Sequence, residues 1–229
     1  EIINTELVLA DIKTVERSLE KNEKLVRAKK PEGILAKEVL SNLLEYLNGG
    51  YAARSFKRES KENVCIKNLF LLTDKPMIYV ANIDDGGGND EQLSEAALIA
   101  EKNSSSFIKI NGKLESEVAE FDEEEKEIIL KDYNIDESGL SVLIKEAYKT
   151  LGLETFFTCG EKEVRAWTMK KGSQAVEAAG EIHTDFSTKF IKAEIFSYSD
   201  AINNKEKINE LKTMGLVKMV GRDYIMQEG

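Results

Sequence analysis

The sequence has no run of about 18 apolar residues, so it offers no membrane-spanning helix. Its start, EIINTELVLADIK, has acids where a secretory leader would be basic, and it has no apolar core segment. Cysteine is scarce. Cys65 and Cys159 lie far apart, which excludes zinc-type spacing and supports no disulfide. A reducing compartment, the cytoplasm, fits that usage. Histidine and tryptophan occur once each, as His183 and Trp167. No G-x-x-x-x-G-K-S/T stretch is present, so nothing in these residues cradles a triphosphate or holds magnesium. Gly112-Lys113 lacks both the upstream Gly and the downstream Ser/Thr. Basic charge is outweighed: 32 Lys and Arg stand against 42 Asp and Glu, a net charge of -10. Such a surface resists non-specific adsorption to nucleic acid, and any RNA contact needs a local basic patch working against that field.

The 229 residues, 41% hydrophobic and 32% charged, are otherwise ordinary for a globular protein and enough for one large domain or two small ones. Val8, Ile12, Val15, Leu19 and Val26 recur at spacings of three, four and seven, interrupted by Asn22. Pro31 and Gly33 break the stripe; Ala36, Leu40, Leu43 and Leu47 resume it, and Asn48-Gly49-Gly50 ends it. Two heptad-like stripes with a short break predict an antiparallel helical hairpin. The seams bury each other in one reading; in the other, an exposed tip grips a partner.

A short helix is expected over 58–68. MIYVANI (77–83) has the continuous apolar pattern of a parallel strand covered on both faces. Residues 90–102 read as a helix capped by Asn89 or Asp90. FIKI (107–110) is a second strand, and 114–131 and 138–150 are helical. This β-α-β-α order argues for an α/β unit whose sheet is incomplete with two strands. From about Leu153, TFFTCG and EVRAWTM read as a hairpin joined through Gly160. A helix from Ser173 (SQAVEAAGEIHTDF), a third strand (FIKAEIFSY), a helix near 205–214 and the start of a fourth strand (DYIM) follow. That order suits a small β-grasp module. The chain begins inside a helical pattern and ends on an unfinished strand and turn, as a fragment would.

The strand end carries the chemistry. Side chains at the carboxyl end of a parallel strand face the crevice where α/β proteins bind ligands. Asn82 offers a donor and an acceptor, which matches the N6 or O6 and N7 edge of a purine. A carboxylate just beyond it only accepts, and suits the N1-H and N2-H donors of guanine, which adenine lacks. Ile110-Asn111-Gly112-Lys113 ends the next strand and forms a second loop beside it. The plain alternative is a polar loop at the end of a core strand.

At these residues the sequence resembles the YchF/Obg-like ATPase family of translation-factor-class GTPases. INTELVLADIKTVERSLEK is similar to the start of that family's inserted coiled coil, and NLFLLTDKPMIYVANIDD to the segment leading into its base motif. ESEVAEFDEEEK, the run from SGLSVLIKEAYKTL through FFTCGEKEVRAWT and AAGEIHTDF to FIKAEI, and DYIMQEG resemble its remaining G-domain helices and its C-terminal TGS domain. The match covers essentially the whole chain. It implies an α/β remnant of a P-loop G domain with an inserted antiparallel helical hairpin, plus an α+β β-grasp (TGS, ubiquitin-like) domain. The implied boundaries are 1–57 for the hairpin, 58–152 for the G-domain part and 153–229 for the TGS domain.

The resemblance implies ATP preferred over GTP, because the family's base motif is Asn-x-x-Glu where guanine readers have Asn-Lys-x-Asp. Asn82 matches the motif Asn, Ile83 lies along the base, and Asp85 falls where the family has Glu, a departure that leaves the base preference open. Asn111, Gly112 and Lys113 form the second base loop. The family's phosphate loop, switches and catalytic segment have no counterpart here, so no catalytic or metal residue is assigned. Mg2+ is implied for the full-length protein alone, and this chain is expected to be inactive by itself. The implied partners are a purine nucleotide, and the ribosome or RNA through the TGS domain and the hairpin. Lys162, Arg165, Lys170 and Lys171 around Trp167 are the candidate RNA contacts, although a lone strand Trp more often belongs to a core. His183 reads as a hydrogen-bonded structural residue. The alternatives are a GTP-binding protein or a non-catalytic RNA- or protein-binding module.

Overall fold

The two apolar stripes make a pair of long helices. In the computed structural model, which describes residues 2–84, 86–133, 135–160, 163–204 and 208–229, α1 spans Ile2–Arg27 and α2 spans Pro31–Asn48. Val8, Val15, Leu40, Leu43 and Leu47 are buried between them, with Ile12 and Leu19 packed alongside. Pro31 occupies the first turn of α2, where its missing N–H is no loss. Gly33 does not break the helix as expected. It lies buried inside α2, where a Cβ would stand 2.6 Å from Leu25 Cβ, so glycine is what lets the helices approach. Asn22 interrupts the seam because its Nδ2 donates to Gly33 O across the hairpin, at 2.7 Å.

The same core takes in a 3-10 turn (Ala53–Ser55) and α3 (Ser60–Lys67) through Ala53, Ile66 and Leu71. A capping box between Glu59 and Glu62 starts α3. Asp11 on α1 is buried, and its carboxylate accepts from Leu72 N (2.7 Å), Thr73 N (2.7 Å) and Thr73 Oγ1 (2.6 Å). Glu1–Met77 form one compact unit and Ile78–Gly229 a second.

In the second unit β1 (Ile78–Asn82), α4 (Asp90–Lys102) and β2 (Ser106–Ile110) form a β-α-β turn, with β1 parallel to β2. Asn89 caps α4, its Oδ1 accepting from Glu91 N and Gln92 N. The helix expected over 114–131 is two: α5 (Gly112–Val118) and α6 (Glu123–Asp132), because Asp122 starts a new helix by accepting from Glu125 N at 3.0 Å. Then α7 (Gly139–Leu151) ends on Gly152, at φ 62.

Antiparallel β3 (Leu153–Cys159) and β4 (Val164–Lys170) follow as expected. The long helix from Ser173 divides into α8 (Ala175–Ile182) and α9 (Thr184–Thr188), since His183 is extended (φ -165, ψ 142). The third strand shrinks to β5 (Ala193–Ile195): Ser197 caps α10 (Tyr198–Asn203) by accepting from Asp200 N. After α11 (Ile208–Thr213), β5 pairs antiparallel with β6 (Lys218–Val220). The expected fourth strand at DYIM is reduced to one bridge, Gln174 to Ile225. Residues 205–207 of the helix expected near 205–214 lie outside the described residues. The architecture is mixed α/β, with antiparallel hairpins and one parallel strand pair.

Ser106 Oγ donates to Glu146 Oε1 on α7, with Lys149 3.3 Å from the same carboxylate. The Ser106 bond, helped by Lys149, holds the Glu146 carboxyl below its ordinary value of 4.5. Its stabilising contribution is therefore full above that value and is lost as pH falls through the lowered one. Glu146→Gln should flatten the fall in stability below about pH 4.5, read as urea midpoints across the acid range. An unchanged acid slope would show that Glu146 carries none of it.

Candidate base-binding site

Parallel pairing sets Asn82 opposite Ile110, and Ile83 N donates to Ile110 O at 2.9 Å, so both strands end level. At that edge Asn82 is exposed, and its Oδ1 accepts from Gly112 N at 3.0 Å. A Cβ on Gly112 would itself stand 3.0 Å from Oδ1, so a bare backbone suits the close approach. The oxygen faces Gly112, and the Asn82 Nδ2 donors have no partner among the described residues. An acceptor such as a purine ring nitrogen could take them.

The flanking residues divide by task. Ile83 is half-buried, and the space over Gly88 is closed by its Cγ2. Asp84 closes a tight turn, its Oδ1 accepting from Gly86 N and its carbonyl from Gly87 N. Asp85 lies outside the described residues. Asn111 Oδ1 accepts from Leu114 N at 3.0 Å, capping α5. Lys113 is exposed, 3.9 Å from Glu117. The structure thus brings Asn82 and Gly112 together, and uses the Asn111 side chain for capping. One support was not apparent in the sequence: Glu115 Oε1 accepts from Gly139 N at 2.5 Å, tying the start of α7 to α5.

The three described cations of the C-terminal segment, Arg165, Lys170 and Lys171, do not converge. Arg165 stacks over Trp167, 4.2 Å from the ring centroid. Trp167 packs against the core of Phe156, Met169 and Ala178, and its Nε1 donates to Thr158 Oγ1 at 2.9 Å. Lys170 projects from the opposite face of β4, since strand residues alternate. Lys171 is 3.6 Å from Glu154, and Lys162 lies outside the described residues. His183 Nδ1 accepts from Asp185 N, a local cap. Among the described residues no cluster of three His, Cys, Asp or Glu could hold a metal, and no helix is long and apolar enough to cross a membrane.

These features define a mixed α/β protein with a polar edge where two parallel strands end, held by the Asn82–Gly112 bond. Over the whole of its sequence the chain is similar to proteins named YchF. The family model YchF-GTPase_C, described as "Protein of unknown function (DUF933)", matches residues 153–229. The "Ribosome-binding ATPase YchF" of Bacillus subtilis (strain 168) is 41% identical over 234 residues, covering 100% of this chain and 63% of the relative. The protein of the same name from Escherichia coli O157:H7 is 37% identical over 230 residues, with the same coverage. Among solved structures, "Structure of the Schizosaccharomyces pombe YchF GTPase" superposes with a TM-score of 0.82 at 32% identity, covering 100% of this chain and 63% of that one. The chain therefore spans 63% of the length of these relatives.

Proposed function

We propose that this chain supplies the base-reading loops, helical hairpin and TGS-type β-grasp module of a ribosome-associated nucleotide-binding ATPase, with ATP preferred over GTP. The domains in this reading are 1–57, 58–152 and 153–229. The observation that carries it is the Asn82 Oδ1 to Gly112 N bond of 3.0 Å, which joins the two strand-end loops and leaves the amide donors free to meet a base. Likeness to proteins named as ribosome-binding ATPases supports the ribosomal part. The phosphate-binding and catalytic functions fall to residues outside this chain. The Mg2+ implied for the intact protein has no fitting donor set among the described residues. Asp85 and Ile83 set the base preference in this reading; Ile83 supplies no cation, unlike the Lys of guanine readers.

The test is a titration of the intact source protein with ATP and GTP. Asn82→Ala should weaken nucleotide binding by about 1–3 kcal/mol, the worth of a base-edge contact. Asn82→Asp keeps an acceptor for Gly112 N but removes the donors, and should weaken it as well. Wild-type affinity in both variants would overturn the assignment.

A further inference from the structure

Residues 21–37, at the turn end of the hairpin, carry six cations (Lys21, Lys24, Arg27, Lys29, Lys30 and Lys37) against two carboxylates, Glu23 and Glu32. All six are exposed, in a chain whose net charge is -10. Among the described residues only Arg27 has a carboxylate within 4 Å. That partner is Glu23, at 2.7 Å, and the pair is exposed enough to exchange readily.

Two of these cations stand where local stability would select other residues. Lys29 N donates to Val26 O (2.9 Å) and Lys30 N to Leu25 O (3.1 Å), the paired bonds of a Schellman motif. Its left-handed position, which favours Gly or Asn, is held by Lys29 at φ 51. Lys30 is the N-cap of α2 and makes no side-chain cap hydrogen bond. Ser, Thr, Asp or Asn would cap there, and a cation opposes the positive end of the α2 dipole. Lys24 and Arg27 complement the dipole at the end of α1; Lys29 and Lys30 have no such account. Local rules broken at exposed positions point to function. The turn is also preformed, through the Asn22–Gly33 bond and the close approach of Gly33 to Leu25, which lowers the ordering cost of binding.

We propose that this tip docks on the sugar-phosphate backbone of RNA, with Lys29 and Lys30 as its principal contacts. The inference rests on the ribosome-associated reading above and names the chemistry of the partner. The centre of a protein–protein interface is depleted in Lys and enriched in aromatics; residues 21–37 are Lys-rich and contain no aromatic. Phosphate contact uses the cations the tip has.

The test variant is Lys29→Gly with Lys30→Ser, which places a favoured residue at both positions. Its Tm should equal or exceed the wild-type value, so lost binding cannot be ascribed to unfolding. Binding is measured to purified ribosomes and to protein-free ribosomal RNA, between about 50 and 200 mM salt. The double variant should bind both roughly tenfold or more weakly at ~0.1 M salt, with a salt slope shallower by about 1.5. Lys13→Gln, on α1 roughly 21 Å along the helix from Arg27, should bind as the wild type does. If the wild type binds ribosomes and the double variant binds equally with the same slope, the tip proposal falls and the ribosomal reading stands. If the wild type binds no ribosomes, both fall. A loss on ribosomes with RNA binding intact would make the partner an acidic protein and overturn the RNA assignment.

Discussion

Asp11→Ala should lower the unfolding free energy of the Glu1–Met77 unit by roughly 3 kcal/mol or more, because it strips the acceptor from two buried donors and one partly buried one. Asp11 is 2% exposed, and so is Thr73. Its carboxylate accepts from three donors in the 72–73 segment, and Thr73 Oγ1 in turn accepts from Ala53 N at 2.9 Å. The side chain therefore ends a chain of bonds from the 3-10 turn through the hydroxyl to α1. Alanine would leave Thr73 N and the Thr73 hydroxyl proton unpartnered in a buried place, and Leu72 N in a partly buried one; each buried unsatisfied donor costs about 1–3 kcal/mol. Asp11→Asn keeps one carbonyl acceptor and should cost less, about 1–3 kcal/mol. Urea denaturation measures both. A loss below about 1 kcal/mol for alanine would mean that the cluster contributes no more than a surface bond.

Why was this cluster not legible in the sequence? An Asp on a helix with a heptad seam reads as a flanking charge, and its partners lie 61 and 62 residues away. Period-based reading reaches only as far as an element. Val8, Ile12, Val15 and Leu19 meet Leu40, Leu43 and Leu47 because the spacing alone places them on facing stripes. Asn82 and the 111–113 loop come together because parallel strands joined by one helix must end side by side. Gly33 reads as a helix break because glycine marks both helix breaks and close helix contacts, and only the neighbour Leu25 distinguishes them. The basic run around Trp167 is separated by a rule the sequence already contained. Residues 165 and 170 differ by an odd number, so a strand sends them to opposite faces. His183 divides a helix whose apolar period runs through it, since tertiary packing and a local cap outweigh propensity there.

Leu43→Ala provides the decisive contrast between a hairpin held by its own seam and one whose apolar stripe awaits a partner. Leu43 is fully buried, with Val15 and Leu47 in the same cluster. Its truncation should cost about 2–5 kcal/mol, from lost transfer energy and a residual cavity. Leu35 on the same helix is 37% exposed, and its truncation should cost less than about 1 kcal/mol if solvent already wets it. Both are read as shifts in the urea midpoint at constant slope. Equal small losses at the two positions would mean that the stripe is not sealed in the isolated chain, and the partner-gripping reading would then extend from the charged tip to the whole seam. A large loss at Leu43 alone confines any partner to surfaces outside the sealed seam, among them the tip with its six exposed cations.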